Sequence, residues 1–246
     1  METLHMRRQL VALLALSALA GCQHNAHTPP EKNATPRATT APQENELALQ
    51  GRRLFEKTYE KLPGVQSKLH CSSCHLQGGT AEGAAALVGV AEHYTGDTAL
   101  WQRVNGCVEN NLNGPPLSQD SSEMKAFLAY LEGLHQDPAP ARGLKMLEPP
   151  AQSPDAERGQ ALFAMKCQDC HQADGSGNYS DKKYEFPAIW GDHSFTSGSA
   201  LAKSENLAAF IMAKMPQGQD ESLTEQEAWD IATYLTGKPR PRSRPQ

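Results

Sequence analysis

The residues able to do chemistry stand in two pentapeptides. Cys71-Ser72-Ser73-Cys74-His75 recurs as Cys167-Gln168-Asp169-Cys170-His171. In a Cys-x-x-Cys-His stretch both thiols reach the vinyl groups on one porphyrin edge and form thioethers, while the adjacent imidazole binds the iron axially. Two copies point to two covalently bound haems c. Four thiols with histidines are also the donors of a tetrahedral zinc site. A simple redox dithiol needs no following histidine and expects a βαβ setting, which this chain lacks.

Each iron needs a donor on its far side. In the second half Met215, within Ala213-Lys214-Met215-Pro216, stands before the last helical stretch, and a thioether there favours reduced iron. His193 and Lys214 compete with it: an unprotonated Lys214 amine binds iron, but a charge in a loop is also simply solvated. Met165 and Met212 read as core residues. The first half has no Met-Pro before its last helix. Its corresponding loop carries Arg103-Val104-Asn105-Gly106-Cys107. A Cys107 thiolate would lower the potential of that haem, and Arg103 nearby favours the thiolate. His93 and Met124 are rivals, and a lone cysteine also serves as a small buried apolar residue.

Met1 to Gly21 reads as an export signal: Arg7 and Arg8 precede the apolar run Leu10–Ala20, which is too short to span a bilayer. Leu19-Ala20-Gly21-Cys22 resembles a bacterial lipobox, which implies cleavage before Cys22 and its lipidation, hence a membrane held by lipid. Gln23 after the cysteine suggests the outer membrane of a Gram-negative cell, facing the periplasm. The segment 22–45 reads as anchor and flexible tether, with His24 and His27 in solvated linker. A net charge of −5 carries no nucleic-acid signal.

A repeat of a whole domain positions the motifs. Gly51-Arg52-Arg53-Leu54-Phe55 precedes the first and Gly159-Gln160-Ala161-Leu162-Phe163 the second. Phe127–Gly133 ends one copy and Asp230–Gly237 the other. The domains are expected at 46–136 and 154–237, joined by a proline-rich linker over 137–153 and followed by a basic, solvated tail over 238–246. Helices are predicted over Glu46–Lys61, from the Asp120–Glu123 capping spacing through Leu134, after Ser153-Pro154, and from the Thr224–Glu227 capping box onward. Strand patterns are almost absent. The expected fold is all-α, each copy resembling class I cytochrome c, whose first and last helices cross.

The chain from about Leu47 to Gly237 resembles the dihaem thiosulfate dehydrogenases. The stretches that carry this are Leu69–Leu76 with Gly78-Gly79, Arg103–Cys107 with Leu112-Asn113-Gly114, Phe186–Gly191 with Ser194-Phe195, and Lys214–Gly218. The resemblance implies that His75 and Cys107 bind an active-site haem. It implies that His171 and Met215 bind an electron-transfer haem, with Lys214 as alternative ligand in one redox state. It further implies a small sulfur substrate, coupling of two thiosulfates into tetrathionate or the reverse, and a redox partner cytochrome. Arg103 would hold the oxyanion. Asn111 and Pro115 stand where the family has a serine and a lysine, and Ala91–Asp97 lacks the family's arginine. A dihaem electron carrier without its own substrate is therefore the alternative.

Overall fold

The structure, a computed structural model, describes residues 45–81, 85–95, 99–134, 145–180, 183–219 and 222–243. The export signal, Cys22 and nearly all of the tether lie outside these residues.

In the first copy Asn45 caps α1 (Glu46–Glu56), its side chain accepting from the Leu47 amide at 3.1 Å. The helix does not run unbroken to Lys61. It stops at Lys57, and a short α2 (Thr58–Lys61) follows. The reason is Thr58, whose buried hydroxyl donates to the Leu54 carbonyl at 2.8 Å and accepts from the Cys71 amide at 3.0 Å. This pins the helix break to the first Cys-x-x-Cys-His motif.

A short α3 (Val90–His93) is followed by α4 (Leu100–Asn110). The Arg103–Cys107 stretch, read above as a loop, is thus helical. Leu100, Val104 and Val108 recur on one face and pack on the core. Next, α5 (Ser122–Glu132) is capped by Ser121 and ends at Glu132, with Gly133 after it, rather than at Leu134. Helices α1 and α5 cross at Gly51, where a Cβ would overlap the Ala126 carbonyl. Around that crossing Leu54, Phe55, Leu69, Val108 and Phe127 form the core.

The second copy repeats the plan. Its α6 (Ala156–Lys166) is capped by Asp155, not Ser153: the carboxylate takes the amides of Glu157 and Arg158 at 2.8 and 2.9 Å. There follow α7 (Gln168–His171), an antiparallel hairpin of β1 (Asn178–Ser180) and β2 (Lys183–Phe186), then α8 (Ser204–Lys214) and α9 (Glu225–Thr236). The hairpin is the one departure from the all-helical expectation among the described residues. The Thr224–Glu227 capping box forms as expected. Gly159 meets the Asp230 carbonyl as Gly51 meets that of Ala126. Met212 packs on this core, whereas Met165 is 69% exposed and is not a core residue, because its side chain lies on the outer face of α6.

The described residues all belong to one compact unit. Phe195 comes from the second copy but is buried in the first copy's core at 7% exposure. The tail is not a solvated end up to Ser243. The Gly191 and Ser197 amides donate to the Pro239 and Pro241 carbonyls at 2.8 Å, and the Arg240 guanidinium lies 4.3 Å from the Phe195 ring centroid.

Candidate functional site

Both motif histidines are prepared in the same way. His75 Nδ1 is 2.6 Å from the Ala85 carbonyl, and His171 Nδ1 is 2.9 Å from the Pro187 carbonyl. A carbonyl only accepts, so Nδ1 carries the proton and Nε2 presents its lone pair, the form that ligates a metal. Burial lowers both imidazole pKa values, outweighing the raising effect of these carbonyls, and Arg103 lowers that of His75 further. Neutral rings at neutral pH follow. The residues after His171 make this possible. Gly175, at φ +66°, lets the Trp190 ring lie where a Cβ would be, and the Gly177 amide returns to the His171 carbonyl.

The thiols of the first motif share their space with Cys107. Burial, with a smaller push from the Cys107 sulfur, raises Cys71 and Cys74 to about 12, against the lowering effect of the Thr58 hydroxyl on Cys71. Burial likewise raises Cys167 to about 11. Among the described residues no three His, Cys, Asp or Glu side chains close around one ion. Donors that feel one another without converging suit a porphyrin, whose ring separates its thioether edge from the axial donor. The arrangement therefore fits haem c.

Helix α4 places Arg103 and Cys107 one turn apart, with Arg103 Nη1 donating to Cys107 Sγ at 3.2 Å. The guanidinium pKa is raised, chiefly by the Cys107 sulfur, against some desolvation, and by the nearby Tyr94 hydroxyl. Tyr94 was not singled out from the sequence. It lies just after α3, and no spacing connects it to Arg103. His93 is exposed with its ring edge-on to Tyr94, and Met124 is fully buried in the first copy.

In the second copy Met215 follows α8 directly and packs on the core that also holds Cys167 and Trp190. Lys214 is the last residue of that helix. His193 lies instead at the seam between copies, where its ring approaches the Gln66 carbonyl at 3.4 Å and its own carbonyl accepts from the Lys68 amide.

A family model described as cytochrome c matches residues 156–237. The thiosulfate dehydrogenase of Psychrobacter arcticus is 39% identical over 206 residues, covering 78% of this chain and 62% of that protein. The thiosulfate dehydrogenase of Allochromatium vinosum is 37% identical over 214 residues, covering 80% of this chain and 79% of that protein. The solved thiosulfate dehydrogenase (TsdBA) from Marichromatium purpuratum, in its as-isolated form, matches with a TM-score of 0.74 at 31% identity, over 87% of this chain and 49% of that one. The chain thus spans less than two thirds of the Psychrobacter protein and about half of the TsdBA chain.

Proposed function

For a chain that belongs to the thiosulfate dehydrogenase family of c-type cytochromes, we propose the activity of a two-haem sulfur oxidoreductase that joins two thiosulfates into tetrathionate, or runs the reverse. Cys71, Cys74 and His75 would hold one haem, and Cys167, Cys170 and His171 the other. Cys107 would complete the first site and Met215 the second, with Lys214 as the alternative to Met215. When bound, the haems supply one-electron acceptors in series that carry two electrons to an external redox partner.

The observation that carries the reading is the Arg103–Cys107 contact at 3.2 Å. It places a cation beside a sulfur that lies outside both Cys-x-x-Cys-His motifs. Arg103 holds the thiosulfate oxyanion by charge-assisted hydrogen bonds. The outer sulfur of that thiosulfate bonds to the Cys107 thiolate as two electrons leave. A second thiosulfate attacks the sulfur attached to Cys107. That step forms the central S–S bond of tetrathionate and returns the Cys107 thiolate, with no proton gained or lost.

The reading also puts the protein in the periplasm, held to the outer membrane by lipid on Cys22. The support is the export signal and the lipobox-like sequence ending at that residue. Among the described residues no helix is long and apolar enough to cross a membrane.

The test is to mix haem-loaded protein with thiosulfate and an artificial acceptor, and separately with tetrathionate and a reduced donor. Absence of turnover in both directions sinks the proposal. The second reading, an electron carrier, is favoured by the sequence: Asn111 and Pro115 stand where the family has a serine and a lysine. Cys107→Met separates the two readings, because it leaves electron exchange with a partner cytochrome intact in a carrier and abolishes turnover in the enzyme.

A further inference from the structure

Helix α4 carries the reacting sulfur, and its C-terminal end is held by the other copy. The Cys107 carbonyl accepts from the amides of Asn111 and Leu112 at 2.9 and 3.2 Å, closing the last turn. That turn is then gripped from outside. The Thr196 amide and hydroxyl both bond the Asn110 carbonyl, the amide at 3.2 Å. Ser199 Oγ donates to Asn111 Oδ1 at 2.5 Å and accepts from the Leu201 amide at 3.2 Å. Both side chains are buried, Thr196 at 0% and Ser199 at 3% exposure, so water does not replace these bonds. Gly198 lies so close to Asn110 Oδ1 that a Cβ would press on it. The carbonyls at a helix C-terminus lack partners within the helix, and here a separate segment supplies them.

We propose that Thr196 and Ser199 are positioning residues for Cys107: the second copy sets the position of the first copy's reactive sulfur by fixing the end of α4. This rests on the reading of Cys107 as axial donor and reacting group. It also gives a role to the departure at residue 111. The Asn111 side-chain carbonyl oxygen accepts from Ser199 across the seam between copies.

The double variant T196V/S199A removes both hydroxyls and keeps the volumes close. It is compared with T196S/S199T, which restores them. Three readouts are taken on haem-loaded protein: the low-temperature spin-resonance signal of a thiolate-ligated haem, the signal of the second haem, and the rate at which Cys107 is alkylated, resolved from Cys22 by peptide mapping. T196V/S199A is expected to lower the thiolate-ligated fraction and to speed alkylation of Cys107 about fivefold or more, since each lost hydrogen bond alone is worth about that factor. The second haem's signal should stay unchanged, and T196S/S199T should return both readouts to the parent values. The proposal is overturned if the thiolate signal and the alkylation rate do not move. It is equally overturned if both haem signals change together and the restoring variant does not recover them, since the two residues would then support folding in general. If the parent protein itself shows no thiolate-ligated haem, the assignment of Cys107 fails, and this inference fails with it at a step that precedes any variant.

Discussion

At the scale of single residues, the site is a short chain of contacts running from Tyr94 through Arg103 to Cys107. Arg103 is the cation that remains where the family has several groups for an anion. Its removal should therefore weigh on binding more than on the chemical step. Arg103→Ala is expected to raise KM for thiosulfate about tenfold or more, the worth of a charge-assisted hydrogen bond at a partly open site, and raised salt should narrow the gap to the parent. Steady-state kinetics at two ionic strengths check this. Tyr94→Phe removes a neutral hydroxyl beside the guanidinium. A smaller effect follows, a KM rise of about threefold with kcat held. An unchanged KM would mean that Tyr94 does not orient Arg103.

At the scale of elements, each copy depends on two helices approaching at a glycine. Gly51→Ala and Gly159→Ala should each lower stability by about 1–3 kcal/mol, because the added methyl meets backbone carbonyls that cannot turn aside. Thermal or denaturant unfolding of the haem-loaded protein reads this. The second crossing has an ionic lock besides. Asp230, 2% exposed on α9, takes Arg158 Nε at 2.8 Å, the Asp155 amide at 2.8 Å and Gln226 Nε2 at 3.1 Å. Burial pushes its carboxyl up, but the bonds from Arg158, Asp155 and Gln226 outweigh burial and hold it below its ordinary value of 3.8. A carboxyl depressed in the folded state binds fewer protons there than in the unfolded chain. Its contribution is thus fully present above 3.8 and is lost as pH falls through the lower folded value. Asp230→Asn should lower stability at neutral pH and flatten the fall below 3.8 in an acid titration of unfolding. A parallel acid profile in the variant would rule out this source.

At the scale of the molecule, the two copies share a core. Phe195 crosses from the second into the first, and Arg240 of the tail covers it. Phe195→Ala should cost about 3–5 kcal/mol, as expected for a large buried ring, and should disturb the first copy although the residue belongs to the second. The first haem's spectrum under mild denaturant checks this. Deleting residues 238–246 should lower the unfolding midpoint as well, since it uncovers Phe195 and removes the carbonyl partners of the Gly191 and Ser197 amides.

The haem motifs, the repeat and the all-α plan were determined by the sequence itself. Thioether attachment dictates a fixed local spacing, and helix caps such as Ser121 and Thr224 act over three residues. The Arg103–Cys107 contact was legible because the two residues stand four apart, one turn of a helix. What only the tertiary structure decided depends on residues far apart in the chain. The Arg103–Cys107 stretch became a helix because its apolar face found a core. Thr58 broke α1 because its hydroxyl had Cys71 to bind. The carbonyls of Ala85 and Pro187, which orient His75 and His171, carry no side-chain signature at all. Thr196 and Ser199 are ordinary loop residues until folding brings them to the end of α4. Spacing along the chain reveals groups that act on neighbours, and the hold of one copy on the end of the other's α4 exists only once the two copies are packed together.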